Sequence, residues 1–260
     1  MSNSFIHTET IGSIAFIKLN RPEKFNSFNR AMSLQLQEAL DKAEADNSIR
    51  AILFTGEGKA FCAGQDLGEA IDGSGPGIEK IVREHYNPII LRLRKIEKPI
   101  VCAVNGIAAG AGANIALACD IVIAGMSAAF TQAFSKIALI PDSGGTFLLP
   151  KLVGFQKATA LMMLGEKVSA TDALQMGMIY KVAEDAQLQE TAMALAKTLS
   201  EMPTKALGLT KRLLNEGTVN PLEKQLDREA QEQVVAAATD DFNEGIKAFM
   251  EKRKPIFKGK

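Results

Sequence analysis

Apolar residues fall into short unbroken runs in the first two-thirds of the chain and into helical spacing in the last third. Ala51–Thr55 (AILFT), Ile100–Val104 (IVCAV) and Asp120–Ala124 (DIVIA) have the length of buried strands, and Ser13–Leu19 alternates before them. Met178–Val182 predicts one more strand. Ala31–Ala45, Ile78–Ile96 and the glycine-started Ala111–Ala118 carry helical patterns between these runs. Such alternation predicts an α/β architecture with parallel pairing. Beyond about Gln187 the strand signal fades. Leu188–Met202, Thr204–Glu216 and Pro221–Phe249 read as helices, with Pro203 and Pro221 where the second and third begin. Val234, Val235, Phe242, Ile246 and Phe249 give the last stretch an apolar face suited to the body of the chain or to a neighbouring subunit.

Two segments join a strand end, a tight turn of small residues and a helix start: Gly58–Leu67 (GKAFCAGQDL) and Asn105–Asn114 (NGIAAGAGAN). Backbone N–H groups at such turns point freely into a cleft, at the positive end of a helix dipole. Two turns brought together aim two donors at one oxygen. Taken locally, Gly110-Ala-Gly112 suits close helix packing better than ligand binding. A dinucleotide turn would want glycine where Ile115 stands and an acidic residue about twenty positions on, and neither is in place.

Asp142 lies in Ala138–Thr146 (ALIPDSGGT), where it and Ser143 suit the N-cap of a helix beginning near Gly144. The alternative is chemical: facing a pocket lined by Ile140, Phe134 or Phe130, its carboxyl would be raised by desolvation and serve as a proton shuttle. His7 and His85 are the only histidines, and His85 sits in a polar helical stretch that favours a solvated or capping role. A Cys62/His85 nucleophilic pair lacks a nameable third residue to orient it. No His/Cys/carboxylate cluster has metal-ligand spacing.

Composition narrows the field. With 260 residues, 47% of them hydrophobic, the chain can fill a core without disulfides. Thirty basic and thirty acidic residues cancel, which removes the general drive toward nucleic acid or an anionic membrane surface and leaves local clusters for small anions. Three cysteines without CxxC spacing suggest a reducing compartment, and a cytoplasmic location is the expectation. The N-terminal stretch lacks a basic region followed by an unbroken apolar one, so no secretory signal is expected. No run approaches the roughly 18 apolar residues of a membrane span.

Leu19–Asn26 (LNRPEKFN), Ala60–Leu67 (AFCAGQDL), Lys98–Gly112, Asp120–Ala124, Ile140–Thr146 (IPDSGGT) and the tail Lys254–Lys260 (KPIFKGK) follow one another in an order that resembles the crotonase (enoyl-CoA hydratase/isomerase) superfamily. The resemblance covers nearly the whole chain. It implies a ClpP/crotonase-like spiral of ββα units over residues 1–200 and a C-terminal helical trimerisation region over residues 201–260. A homotrimer or a hexamer built as a dimer of trimers follows. So does an acyl-CoA substrate, with no separate cofactor, since coenzyme A is part of the substrate, and with no metal, nucleic-acid or membrane partner.

The resemblance also implies site residues. The thioester oxygen would accept the backbone N–H groups of Gln65 and Ala111; family members commonly have glycine at the second position. Ala63, Gly64, Asp66, Leu67, Ile107, Gly110 and Ile140 would line the acyl site. Lys24 and Phe25 would meet the nucleotide of coenzyme A, and Phe257 or Lys258 would reach a coenzyme A bound to a neighbour. Asn114 and Phe134 stand where hydratases carry their paired glutamates, so hydration is disfavoured; Asn114 is expected to be a buried hydrogen-bonding residue with modest kinetic weight. Asp142, at a position often glycine in hydratases, would act as the single acid/base of a proton shift.

Ala133–Pro150 is most similar to the branch of the family that converts ring-1,2-epoxyphenylacetyl-CoA to an oxepin-CoA and moves a 3-enoyl-CoA double bond to position 2. Two other readings stand beside this one. Aryl-CoA dehalogenases use an aspartate here as nucleophile, held by a tryptophan, and the chain has none. Some crotonase-fold proteins bind RNA or act without catalysis, a role that balanced charge argues against.

Overall fold

In the computed structural model, which describes residues 4–73 and 75–260, most of the apolar runs become strands of one sheet. The first three residues of the stretch read for a secretory signal lie outside the described residues. Strands β1 (Ile6–Ile11) and β2 (Ile14–Leu19) form an antiparallel hairpin. Helix α1 (Arg30–Ala45) follows, its first turn capped by the Asn29 side chain accepting from the Met32 N–H. Next come β3 (Ala51–Gly56), β4 (Ala60–Cys62), α2 (Leu67–Ile71), α3 (Gly77–Lys80), a π-helical segment Ile81–Tyr86, and α4 (Asn87–Lys95). The unit repeats as β5 (Ile100–Val104), β6 (Ile107–Ala109) and α5 (Ala111–Leu117). A third begins with β7 (Ile121–Gly125) and β8 (Ala129–Thr131), leading to α6 (Gly145–Val153), α7 (Phe155–Leu164), β9 (Lys167–Ser169), α8 (Ala170–Gln175) and β10 (Lys181–Ala183). Four helices close the chain: α9 (Leu188–Ser200), α10 (Thr204–Gly217), α11 (Leu222–Ala237) and α12 (Asp240–Met250).

Within each unit the longer strand joins a six-stranded sheet ordered β1-β2-β3-β5-β7-β10, and the short one joins a four-stranded sheet ordered β4-β6-β8-β9. This is the ββα spiral. Strands β3 and β5 are buried at every residue, which is why they read as continuous apolar runs. Helix α9 covers one face of the larger sheet, packing Leu188, Ala192 and Ala196 on Leu53, Val101 and Ile123. The other face meets α1, α4, α5 and the smaller sheet. Because β4, β6 and β8 run parallel, their C-terminal ends emerge at one edge, where ligand sites of parallel sheets form.

Several boundaries differ from the pattern. The stretch Pro221–Phe249 divides into α11 and α12, because Thr239 caps a new helix by accepting from the Phe242 N–H. Ile78–Ile96 is interrupted by the π-helical segment. The last strand slides from Met178–Val182 to Lys181–Ala183, while Met178 and Ile179 bury ahead of it. The C-terminal helices are tied to the body by charge: Asp120 takes both Lys211 (2.8 Å) and Arg94 (3.1 Å), and Glu97 takes Lys205 (3.1 Å) and Arg212. Leu226, Val234 and Phe249 leave an apolar face exposed on α11 and α12. Among the described residues no helix is long and apolar enough to cross a membrane.

Candidate active site

Each of the three parallel strand ends delivers one segment to a shared cavity of about 230 Å³. From β4 the chain turns through Ala63, Gly64 and Gln65; from β6 through Gly110 and Ala111; from β8 through residues 132–142. Gly64 sits at φ +92°, and a β-carbon there would lie 2.9 Å from the Ala109 carbonyl oxygen and 3.6 Å from the Ala111 nitrogen. Only glycine suits both demands. That second distance places the Gln65 and Ala111 amide nitrogens within about 7 Å of each other, given standard backbone dimensions. Among the described residues neither amide has a hydrogen-bond partner within the chain. Gly110, at φ +53°, shapes the second turn. Gly112 fulfils the packing reading instead, since a β-carbon there would be 2.4 Å from the Cys62 carbonyl oxygen.

The third segment brings Asp142 to the same cavity. Burial pushes its carboxyl above the usual range, partly opposed by the Ser143 hydroxyl, which donates to Oδ1 at 2.9 Å. The capping role does not hold. Gly144, at φ +72°, is the N-cap of α6, and Asp142 receives the Gly145 N–H on its backbone carbonyl at 2.9 Å. Leu67, Ile78, Ile81, Val82, Ile137 and Leu139 make most of the wall apolar, with Phe134 on one side and Lys136 at the margin.

Ala63, Gly64, Gln65, Leu67, Gly110, Ala111, Phe134 and Asp142 therefore surround one cavity. Other expected residues lie elsewhere. Ile140 is 83% exposed and outside the lining, because the turn that aims Asp142 inward carries Ile140 outward; Phe130 is sealed in the core. Asp66 pairs with Arg21 at 2.8 Å and caps α2 rather than lining the cavity. Ile107 is exposed on β6, away from the lining. Lys24 and Phe25 sit on the neighbouring turn, where the Phe25 carbonyl accepts the Ala63 N–H. Phe257 and Lys258 belong to the C-terminal tail, held by Arg50 on the Phe257 carbonyl (2.7 Å) and by Asp241 on the Lys258 N–H (2.6 Å). Asn114 is buried behind the cavity, bonded to Asp142 through the backbone.

Two residues depart from the sequence pattern. His85 is fully buried rather than solvated; its Nδ1 lacks a partner among the described residues, Arg30 lies 3.4 Å from Nε2, and desolvation lowers its pKa. Tyr86 lines the cavity with its hydroxyl donating to Gln65 Oε1 at 2.8 Å, while Gln65 Nε2 donates to Glu69 at 3.1 Å. The side chain of one amide-bearing residue is thus clamped at both ends. Tyr86→Phe would leave Gln65 Oε1 short of its donor, and a stability loss of about 1–3 kcal/mol is expected in chemical denaturation. The same variant should lower kcat by up to about tenfold through looser positioning; unchanged kcat would show that the clamp is idle.

A spiral of strand pairs and helices with a pocket at the ends of three short parallel strands defines the protein as crotonase-like in fold. Enoyl-CoA hydratase from Bacillus anthracis superposes with a TM-score of 0.92 at 33% identity, over 99% of this chain and 100% of that one. The chain belongs to the enoyl-CoA hydratase/isomerase family, whose model matches residues 9–260, and it is an enzyme of that family. It is 48% identical to 1,2-epoxyphenylacetyl-CoA isomerase of Escherichia coli (strain K12) over 98% of this chain and 99% of the relative. It is 36% identical to trans-2-decenoyl-(acyl-carrier-protein) isomerase of Streptococcus mutans, over 95% of each.

Proposed function

We propose that the protein is an acyl-CoA isomerase that stabilises a thioester enolate on the Gln65 and Ala111 amides and moves a proton with Asp142. One observation carries the reading: the residues that line one largely apolar cavity include a single desolvated carboxyl and two whose backbone amides have no partner among the described residues. Negative charge collects on the thioester oxygen as a proton leaves the acyl chain, and preorganised donors stabilise it, each worth about 3 kcal/mol. Asp142 takes the proton from one carbon and returns it to another. Hydration needs a second group to hold water, and Asn114 is turned away behind the wall while Phe134 is apolar.

Two relatives are named as isomerases, one of 1,2-epoxyphenylacetyl-CoA and one of a trans-2-decenoyl thioester of acyl-carrier protein, and they support two substrates of one chemistry for this chain: a ring-epoxidised phenylacetyl-CoA opening to an oxepin-CoA, and a 3-enoyl-CoA becoming a 2-enoyl-CoA. Each product has the mass of its substrate. Incubation with epoxyphenylacetyl-CoA, 3-enoyl-CoA and 2-enoyl-CoA, followed by mass spectrometry and ultraviolet absorbance, should give isomers from the first two and no water adduct from the third. Dominant water addition to the 2-enoyl thioester would replace this reading with hydration.

A further inference from the structure

We infer that Asn114 is a positioning residue that sets Asp142 relative to the Ala111 amide, and that Gln132 holds Asn114 in the orientation this requires. The inference rests on the reading of Asp142 as the proton carrier and adds what fixes that carrier in place. Asn114 lies on α5, three residues beyond Ala111, so both move with one short helix. Its Nδ2 donates to the Asp142 carbonyl oxygen at 2.9 Å, and its Oδ1 accepts from Gln132 Nε2 at 2.7 Å. A backbone carbonyl only accepts, so the Asn114 atom facing it must be the amide nitrogen. The oxygen then faces Gln132, which must present its own nitrogen. The direction of the whole chain is therefore dictated by the Asp142 backbone, and Gln132, directly after β8, anchors the far end to the smaller sheet.

The turn that bears Asp142 needs such an anchor. Ser143, buried and at φ +51°, and Gly144 at φ +72° are consecutive left-handed residues, a conformation that costs free energy at a non-glycine position. Gly145 follows, and a β-carbon on it would lie 2.4 Å from Asn114 Nδ2, so the backbone is seated directly against the amide. Asn114 and Gln132 are both almost fully buried, and neither lines the cavity. They do not touch substrate; they fix the distance between the oxygen-binding helix and the carboxyl opposite. A misplacement of about 1 Å at such a site costs on the order of 100-fold in rate.

A double-mutant cycle tests this. Asn114→Ala should lower kcat for 3-enoyl-CoA isomerisation by about 10- to 100-fold, with the Kd for a saturated acyl-CoA changed less than about threefold. In an Asp142→Asn background the same substitution should cost less than about threefold, because nothing remains to be positioned. Gln132→Leu, which leaves Asn114 in place without its second partner, should fall between wild type and Asn114→Ala. Asn114→Asp, setting an acceptor and a negative charge against the turn, should move the acid limb of the pH–rate profile to higher pH. Equal losses in the two backgrounds, or weakened saturated acyl-CoA binding that accounts for the loss, would overturn the inference, since a merely structural asparagine gives that pattern. Should Asp142→Asn alone keep its turnover, the underlying reading of the carboxyl fails instead.

Discussion

Asp142→Asn is expected to lower double-bond isomerisation by about 10²–10⁴-fold while leaving acyl-CoA affinity nearly unchanged. The substitution preserves shape, keeps an oxygen for the Ser143 hydroxyl and leaves the backbone bonds to Asn114 and Gly145 untouched. The two amides remain, so the enolate oxygen is still stabilised and only the proton carrier is removed. The expected signature is a collapse of kcat with a constant Kd for a saturated acyl-CoA, read by steady-state kinetics and calorimetry. The pH profile gives a second check. Burial raises the Asp142 carboxyl above the ordinary aspartate range near about 4, and in the proposed reaction its active form is the deprotonated one. Turnover should therefore rise with pH through that raised value and be lost below it. In the asparagine variant that limb should vanish from the residual rate. Near-normal turnover in the variant would assign the proton transfer elsewhere.

Gly64→Ala should be nearly as damaging by a different route. An alanine at φ +92° costs on the order of 1–3 kcal/mol in backbone strain, before contacts are counted. Its β-carbon would press on the Ala109 carbonyl at 2.9 Å, and that carbonyl belongs to the turn bearing the second amide. Relief requires both turns to shift, so both donors lose their aim. A fall in kcat of about 10²–10³-fold is expected, as for removal of one oxyanion donor, with a lowered melting temperature beside it. Gly12→Ala is the control for strain alone: it shares a left-handed φ of +60°, has no atom within 4 Å of the added carbon, and lies in the β1–β2 hairpin away from the cavity. It should lower stability without touching kcat. A Gly64→Ala enzyme that melts early yet turns over normally would mean that the amide pair does not carry the chemistry.

The parts of the fold that sequence reveals are those where one period dominates. Strands β3 and β5, buried throughout, stand out as apolar runs, and α1 and α5 follow their patterns to within a residue or two. β1, with the sequence IHTETI, escapes notice because it is an edge strand exposed at five of six positions. The short strands Ala60–Cys62, Ile107–Ala109 and Ala129–Thr131 escape because three residues hold no period, and yet they carry the site. Both glycine turns and Asp142 are visible as motifs. Their convergence on one cavity comes from parallel pairing in the smaller sheet, which no local pattern encodes. Tyr86 and His85 are hidden for another reason. Both fall in the π-helical segment, where the spacing departs from 3.6 residues per turn, so a helical pattern read through it does not show that His85 and Tyr86 face inward.

The ordering of β4, β6 and β8 along one edge separates labour among loops. The first two ends hold the amides proposed to bind the thioester carbonyl, and glycines packed on neighbouring backbone fix both turns. The third end supplies Asp142, the proposed proton carrier, on a segment, residues 132–144, that adds no strand to either sheet. On the proposed mechanism, new reactions can therefore be written into that one segment while the activation of the thioester is inherited intact. Grafting it from a relative of different chemistry is the shortest route to a changed product on an unchanged frame.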